Sequence, residues 1–397
     1  MRRLAVVVGL GALALAAACA SLSGLTGGGP TTEPVDGGPD EGAPTEAAPP
    51  TPDPCSHAFV PPPPAKDDDL TGQLPPLTLA VRDESVSGTL DAGEPIGFDL
   101  DGVCSCFPDT TTAHGGSPSC IAPEGGSPAC DGDGGADRQI SALLAAYTVP
   151  SVSATNGGPT LLLKVTKYNG RANDTEVFVG FLSSPGIFDR TGCTNGDDAG
   201  APYPPTWRGC DKFALDDTAV VPGTAEPLAY LPGYVTDHVL VVPRAIKPVT
   251  FLVGSTSLVV TGSVLVLRLT ALDAQLLPIE PPPPIGQIFR MEGSTAGRVS
   301  TADALRAIAK GQALTDGGPL CGFPNFYNTV KHAFVCPSAD IAATPARDFK
   351  DVECDALSLA AAFSADPVQF GTVQKQPKSA CGDPSDPKYA AFFDCAQ

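Results

Sequence analysis

The residues with the clearest chemical potential are short acids on a glycine-rich stretch. Asp131-Gly-Asp133-Gly-Gly-Ala-Asp137 places carboxylates at positions 1, 3 and 7 of a flexible loop. Short acids on a backbone that turns freely can wrap a hard cation, and Ca2+ takes oxygen ligands of this kind. The stretch departs from a helix-loop-helix calcium hand. Position 5 is Gly135, and position 12 is Ala142 where such a hand carries a bidentate Glu. The plainer reading is a solvated loop after Cys130, with Asp137 capping a helix that starts near Ile140. Asp99-Leu-Asp101-Gly102 and Asn195-Gly-Asp197-Asp198 are shorter stretches of the same character.

Other chemistries have less behind them. Tyr203 and Trp207 lie in a Pro-rich loop between Cys193 and Cys210. Aromatics on an exposed loop could stack on a sugar ring, although a single Trp in a chain this size is more often core. No nucleophile elbow is present, because Gly293-Ser-Thr-Ala-Gly297 has Thr at the nucleophile position. No H-E-x-x-H, P-loop or dinucleotide fingerprint occurs, and Asp237-His238 reads as a surface pair at the start of a strand. No catalytic residue is assigned, and the chain is expected not to be an enzyme. Carboxylate pairs for glycoside hydrolysis are brought together by folding and leave no local spacing, so a carbohydrate-active hydrolase stands as a third reading.

The segments that must present these residues begin with an address. Arg2 and Arg3 precede an apolar run from Leu4 to Ala18, and Cys19 follows directly. The run is too short for the roughly 20 residues of a bilayer span and reads as a secretory signal over 1–18. Leu15-Ala-Ala-Ala-Cys19 resembles a lipobox, which implies lipidation of Cys19. The alternative is ordinary cleavage after Ala20, which would release a soluble chain beginning at Ser21. Residues 19–54 are rich in Gly, Pro, Thr, Ala and acid, without Lys, Arg or an aromatic residue. They cannot bury enough apolar surface to offset ordering, and are expected to be a disordered tether. Ala20 after the cysteine, where Asp would imply retention at the inner membrane, directs the chain to the outer membrane or cell surface.

Charge and cysteine content fit that address. The net charge is −20, and removing the signal takes two Arg and no acid. Such a chain is not a nucleic-acid partner, and its membrane contact is expected through the lipid alone, with a glycan or protein partner open. Setting Cys19 aside leaves twelve of 13 cysteines, a disulfide framework in an exported chain. They fall into an early group (Cys55, Cys104, Cys106, Cys120, Cys130), a middle pair (Cys193, Cys210) and a late group (Cys321, Cys336, Cys354, Cys381, Cys395). If the middle two pair, each outer group is odd, so at least one bridge must join early to late. Cys55 is expected to supply its early end, and Cys104 and Cys106 are expected to pair outward because a C-x-C ring is strained.

Hydrophobic periodicity gives the fold. Leu77–Val81, Leu161–Tyr168, Glu176–Leu182, Val239–Val242, Val249–Val253, Leu258–Thr261 and Val264–Leu269 read as strands. Leu265, Leu267 and Leu269 share one face with Arg268 opposite. Val177, Val179 and Phe181 line one face and Leu182 the other, so that strand should be covered on both sides. No crossover helices intervene, which predicts a mainly β fold: an antiparallel β-sandwich or jelly-roll over 55–289. Beyond Pro281–Pro284 the period changes. Ser300 with Asp303 resembles a capping box, Phe326, Val330 and Phe334 recur every four residues, and Leu359 and Phe363 suggest a further helix from Asp355. Residues 290–397 are therefore expected to form a small helical, disulfide-rich unit packed on the sandwich.

The stretches Gly97-Phe-Asp-Leu-Asp-Gly-Val-Cys-Ser-Cys106, Cys130–Asp137, Tyr168–Asp174 and Cys354–Leu359, with the DGGPD tether, resemble a group of bacterial envelope lipoproteins that have a cysteine-rich β domain. The resemblance implies the address and the fold, and carries no activity. The resulting expectation is an envelope lipoprotein that binds a glycan, ion or protein partner, or else a purely structural envelope component.

Overall fold

A computed structural model describes residues 58–68, 73–86, 96–106, 116–126, 130–140, 156–189, 205–245, 247–253, 256–272, 288–310, 319–375, 381 and 391–395. Cys19, the signal and the tether lie outside the described residues, as do Cys55, Cys193 and Tyr203. The described residues belong to one compact unit, Pro52–Gln397. Among them no helix is long and apolar enough to cross a membrane.

The chain is mainly β. Its strands are β1 (Leu77–Ser85), β2 (Thr160–Thr166), β3 (Asp174–Ser184), β4 (Ile187–Asp189), β5 (Lys212–Asp216), β6 (Tyr230–Thr236), β7 (Val239–Val242), β8 (Val249–Val253), β9 (Thr256–Leu272), β10 (Ile288–Ser300), β11 (Ala356–Pro367) and β12 (Gln369–Gln374). Nine form one antiparallel sheet in the order β10-β11-β1-β2-β3-β6-β7-β9-β8, and β9 also pairs with β10. The sheet thus closes on itself through eight strands, which removes most of its exposed edge. Its walls enclose one core, in which Leu163, Val177, Val179, Leu240, Leu267, Met291 and Leu359 come together.

The predicted faces hold. Val177 and Val179 point into this core, while Leu182 joins Leu162, Phe213 and Leu215 in a second cluster outside the sheet. That cluster lies under a small sheet, β12-β5-β4, so β2 and β3 are covered on both sides. Leu258–Thr261 and Val264–Leu269 are halves of the single strand β9. Between them Gly262 has φ +58°, and the register against β10 slips there, a bulge that lets one long strand serve three neighbours.

The C-terminal region differs from expectation. Among the described residues it carries the α-helices α1 (Thr301–Lys310) and α2 (Pro324–Val330). Ser300 Oγ accepts the Asp303 N–H at 3.1 Å, as the capping box predicts. Residues 290–397 are nevertheless not helical throughout, because β10 and β11 complete the main sheet. The segment expected as a helix from Asp355 is strand β11. Its alanines and Leu357, Leu359 and Phe363 are buried on both faces, and a strand with both faces covered shows no alternation that separates it from a buried helix. The i, i+4 stripe of α2 is also displaced. Tyr327 and Val330 are buried but Phe326 is 51% exposed, and a π-turn over Lys331–Val335 shifts the helical register beyond Val330.

Four disulfides are described: Cys106–Cys130, Cys120–Cys354, Cys321–Cys381 and Cys336–Cys395. Cys104 and Cys210 are also disulfide-bonded. Cys106 pairs outward, as strain in a C-x-C ring requires. The early-to-late bridge exists, but its early end is Cys120 and not Cys55. The reason is spatial: residues 119–121 run beside 352–354, with Ile121 and Cys354 joined by a backbone hydrogen bond of 2.8 Å.

Candidate metal centre

Three loops pack on the outer face of β9, β10 and β11. Ile96, Phe98 and Leu100 bury against Val264, Ala296 and Ala360 in a cluster of their own. Gly97 makes this approach possible. Its φ is +110°, and a Cβ there would lie 2.8 Å from the Cβ of Ala360. The alternating apolar residues of Ile-Gly-Phe-Asp-Leu-Asp therefore face the sheet and turn Asp99 and Asp101 away from it.

The carboxylates converge there. One oxygen each from Asp99, Asp101 and Asp137 forms a group in which all atoms lie within 4.8 Å of one another. Oxygens around a single Ca2+, at about 2.3–2.6 Å from it, can be separated by no more than about twice that distance. The other contacts fix the acids in place. Asp99 Oδ1 accepts the Gly102 N–H at 2.6 Å and Asp101 Oδ1 accepts that of Val103 at 3.0 Å. Asp137 Oδ2 accepts from Leu100 N at 2.7 Å, and Asp131 Oδ2 from Ser105 N at 2.6 Å. Asp340, from the segment before β11, accepts the Ser358 N–H at 2.8 Å, and Ser358 Oγ in turn accepts from Gln139 N at 2.8 Å.

Electrostatics at this point are unfavourable without a counter-charge. Burial raises the Asp137 carboxyl well above its ordinary value, reinforced by Asp101, Asp131 and Asp340. Burial, then the neighbouring Asp101 and Asp99, pushes Asp131 up to about 8 against the opposing Ser105 hydrogen bond. Burial brings Asp340 to about 7, although Ser358 opposes it. Asp101 reaches about 6, also through burial, with Ser119 and Arg298 pulling it down. Enclosed carboxylates must hold protons, pair with cations or coordinate a metal. Of the cations nearby, Arg138 lays its guanidinium against Gly132 in the same loop, and Arg298 is committed elsewhere. Arg298, 1% exposed, forks onto Asp348 at 2.6 and 2.7 Å and donates to the carbonyls of Leu100 and Ala342, both at 2.8 Å. Its role is to clamp the Asp99–Asp101 loop to β10.

A buried hydroxyl adds a neutral oxygen. Ser119 is 1% exposed, and its Oγ is directed at the Asp101 carboxylate, whose pKa it lowers by hydrogen bonding. A cation between them could take the hydroxyl oxygen as a neutral ligand beside the carboxylates.

Of the residues singled out in sequence, Asp131 and Asp137 reach this centre. Asp133 begins the single turn Asp133–Gly135, and its side chain lies outside the described residues. The ligand-spaced acids come instead from Asp99 and Asp101, the shorter acidic stretch. Asp340 and Ser119 escape a sequence reading, since nothing local marks them; the one available hint is that Asp131 and Ser119 each adjoin a half-cystine. Trp207 is not a stacking platform. It is 8% exposed and lies against Phe213, with ring centroids 5.7 Å apart. Asp237 and His238 form the two-residue turn between β6 and β7, both at positive φ. A separate cavity of about 450 Å³ is walled by Phe181, Ser183, Leu228 and Val249, with Asp216 as its carboxylate. That carboxylate accepts from Thr218 and Ser183. Compared with family models, curated proteins and solved structures, the chain matches none.

Proposed function

We propose that this chain is an exported envelope protein, tethered by a lipid on Cys19, whose folded body is a binding module built around a divalent cation. The observation that carries the reading is the convergence of Asp99, Asp101 and Asp137 oxygens within 4.8 Å. Ca2+ suits an all-oxygen set held on loops, and it takes about 6–8 ligands. Three carboxylates and the Ser119 hydroxyl would leave positions for water or for oxygens of a bound glycan or protein. Asp131 and Asp340 would stand behind the ligands and balance the cation's charge. The signal-like N-terminus, the acidic tether and the resemblance to envelope lipoproteins support the address.

The melting temperature of the purified protein at pH 7.5 tests this. CaCl2 in place of EDTA should raise it, and MgCl2 should raise it less, because Mg2+ demands a stricter octahedron and gives up water reluctantly. A melting temperature indifferent to all three would overturn the cation reading and leave a structural envelope component in its place.

A further inference from the structure

We infer that the cation centre is assembled by two of the disulfides, so that the chain captures its cation only after oxidation and releases it on reduction. This rests on the cation reading proposed for the same centre. Cys106–Cys130 joins the two acidic loops at the point where they meet. Asp131 directly follows Cys130, and the N–H that it accepts belongs to Ser105, directly before Cys106. Opening that bridge frees both partners of the 2.6 Å hydrogen bond at once. Cys120–Cys354 acts on the other side. Ser119 directly precedes Cys120, and Cys120 Sγ lies 3.5 Å from the carbonyl oxygen of Asp340. The same segment is stitched to the chain before β11 by Phe349 N to Ser119 O at 2.7 Å and by Ile121 N to Val352 O at 2.9 Å.

Residues 99–106 and 130–135 contain no strand and one short turn. Beside the Arg298 clamp, the Cys104 disulfide and a few backbone hydrogen bonds, the two bridges are what tie these loops to each other and to the segment before β11. Without the bridges, the cation would have to order these loops as well as bind, and affinity falls by that cost. The chemistry balances simply. Each bridge takes two electrons and two protons from a dithiol, which closes to its own disulfide, and leaves two protein thiols. Linkage makes the effect reciprocal: if oxidation favours the cation, the cation must favour the oxidised bridge by the same factor. In a cell, the reducing cytoplasm would hold the chain in its non-binding form until export.

Calcium affinity measured by equilibrium dialysis should fall at least tenfold in Cys106→Ser/Cys130→Ser and in Cys120→Ser/Cys354→Ser. It should stay at the wild-type value in Cys321→Ser/Cys381→Ser, whose bridge sits beside α1 with Cys381 Sγ near the Ala309 carbonyl oxygen. A second arm uses the unmodified protein, so that misfolding of a variant decides nothing. Under dithiothreitol, followed by alkylation and mass spectrometry, calcium should slow opening of Cys106–Cys130 several-fold and leave Cys321–Cys381 unaffected. If wild type binds calcium, but the first two variants bind equally well and reduction ignores calcium, the disulfide inference is wrong and the cation reading stands. If wild type binds no calcium, both are overturned.

Discussion

A carboxylate set aside from water is a statement about pH. Asp101, Asp131 and Asp340 are raised to about 6, 8 and 7 in the folded chain, with Asp137 raised as well. The unfolded chain releases these protons near pH 4. Between those limits the folded state holds more protons than the unfolded state, so stability falls as pH rises. In EDTA, the denaturation midpoint should therefore decline from pH 5 to pH 8. Calcium should abolish most of that decline by replacing the protons as counter-charge. Equal midpoints at the two pH values in EDTA would show that these groups are not titrating in the folded state. Arg298 supplies a second test at this scale. Its guanidinium is buried against Asp348 and two carbonyls, and removing one partner of a buried pair costs about 3–5 kcal/mol. Arg298→Ala should lose stability in that range by chemical denaturation, whereas a loss under about 1 kcal/mol would mean the clamp is dispensable.

Among the elements, close approach matters more than regular structure. Gly97→Ala would bring a methyl within 2.8 Å of the Ala360 Cβ and force a side chain onto φ +110°. A cost of about 2 kcal/mol or more is expected from strain of this kind, together with weaker calcium binding, because Asp99 and Asp101 ride on the same segment. An alanine variant with wild-type stability and affinity would contradict this account of the loop. The same elements show what is legible in the sequence. Strands with one polar and one apolar face, such as β9 with Arg268 outside and Leu267 inside, announce themselves by alternation. Strand β11 does not, since both of its faces are buried and its alanines favour no period. The centre is half legible for a related reason. Asp131 and Asp137 stand out by local spacing, but Asp340 arrives through the chain reversal before β11. Ser119 arrives through a bridge with a sequence separation of 234, and no local pattern encodes either approach.

At the scale of the molecule, Cys120–Cys354 ties the loops on the early half to the chain entering β11. By the chain-entropy estimate, closing a loop of that length contributes about 5 kcal/mol at most, since denatured chains retain some structure. With β10 and β11 built into the main sheet, the helical region should not melt on its own. Calorimetry is expected to show one transition for the oxidised chain, and two resolved transitions would refute the integration. The address has its own test: Cys19→Ser should leave the membrane fraction or remain uncleaved, and wild-type fractionation of that variant would end the lipid-anchor proposal. The central claim, however, is the cation centre assembled from Asp99, Asp101 and Asp137. Isothermal titration of the oxidised protein with CaCl2, beside an Asp101→Asn/Asp137→Asn variant of matched secondary structure, addresses it most directly. The account predicts saturable binding of one calcium per chain at this site, lost in the variant. Absence of saturable heat in the wild type, or undiminished binding in the variant, would contradict it.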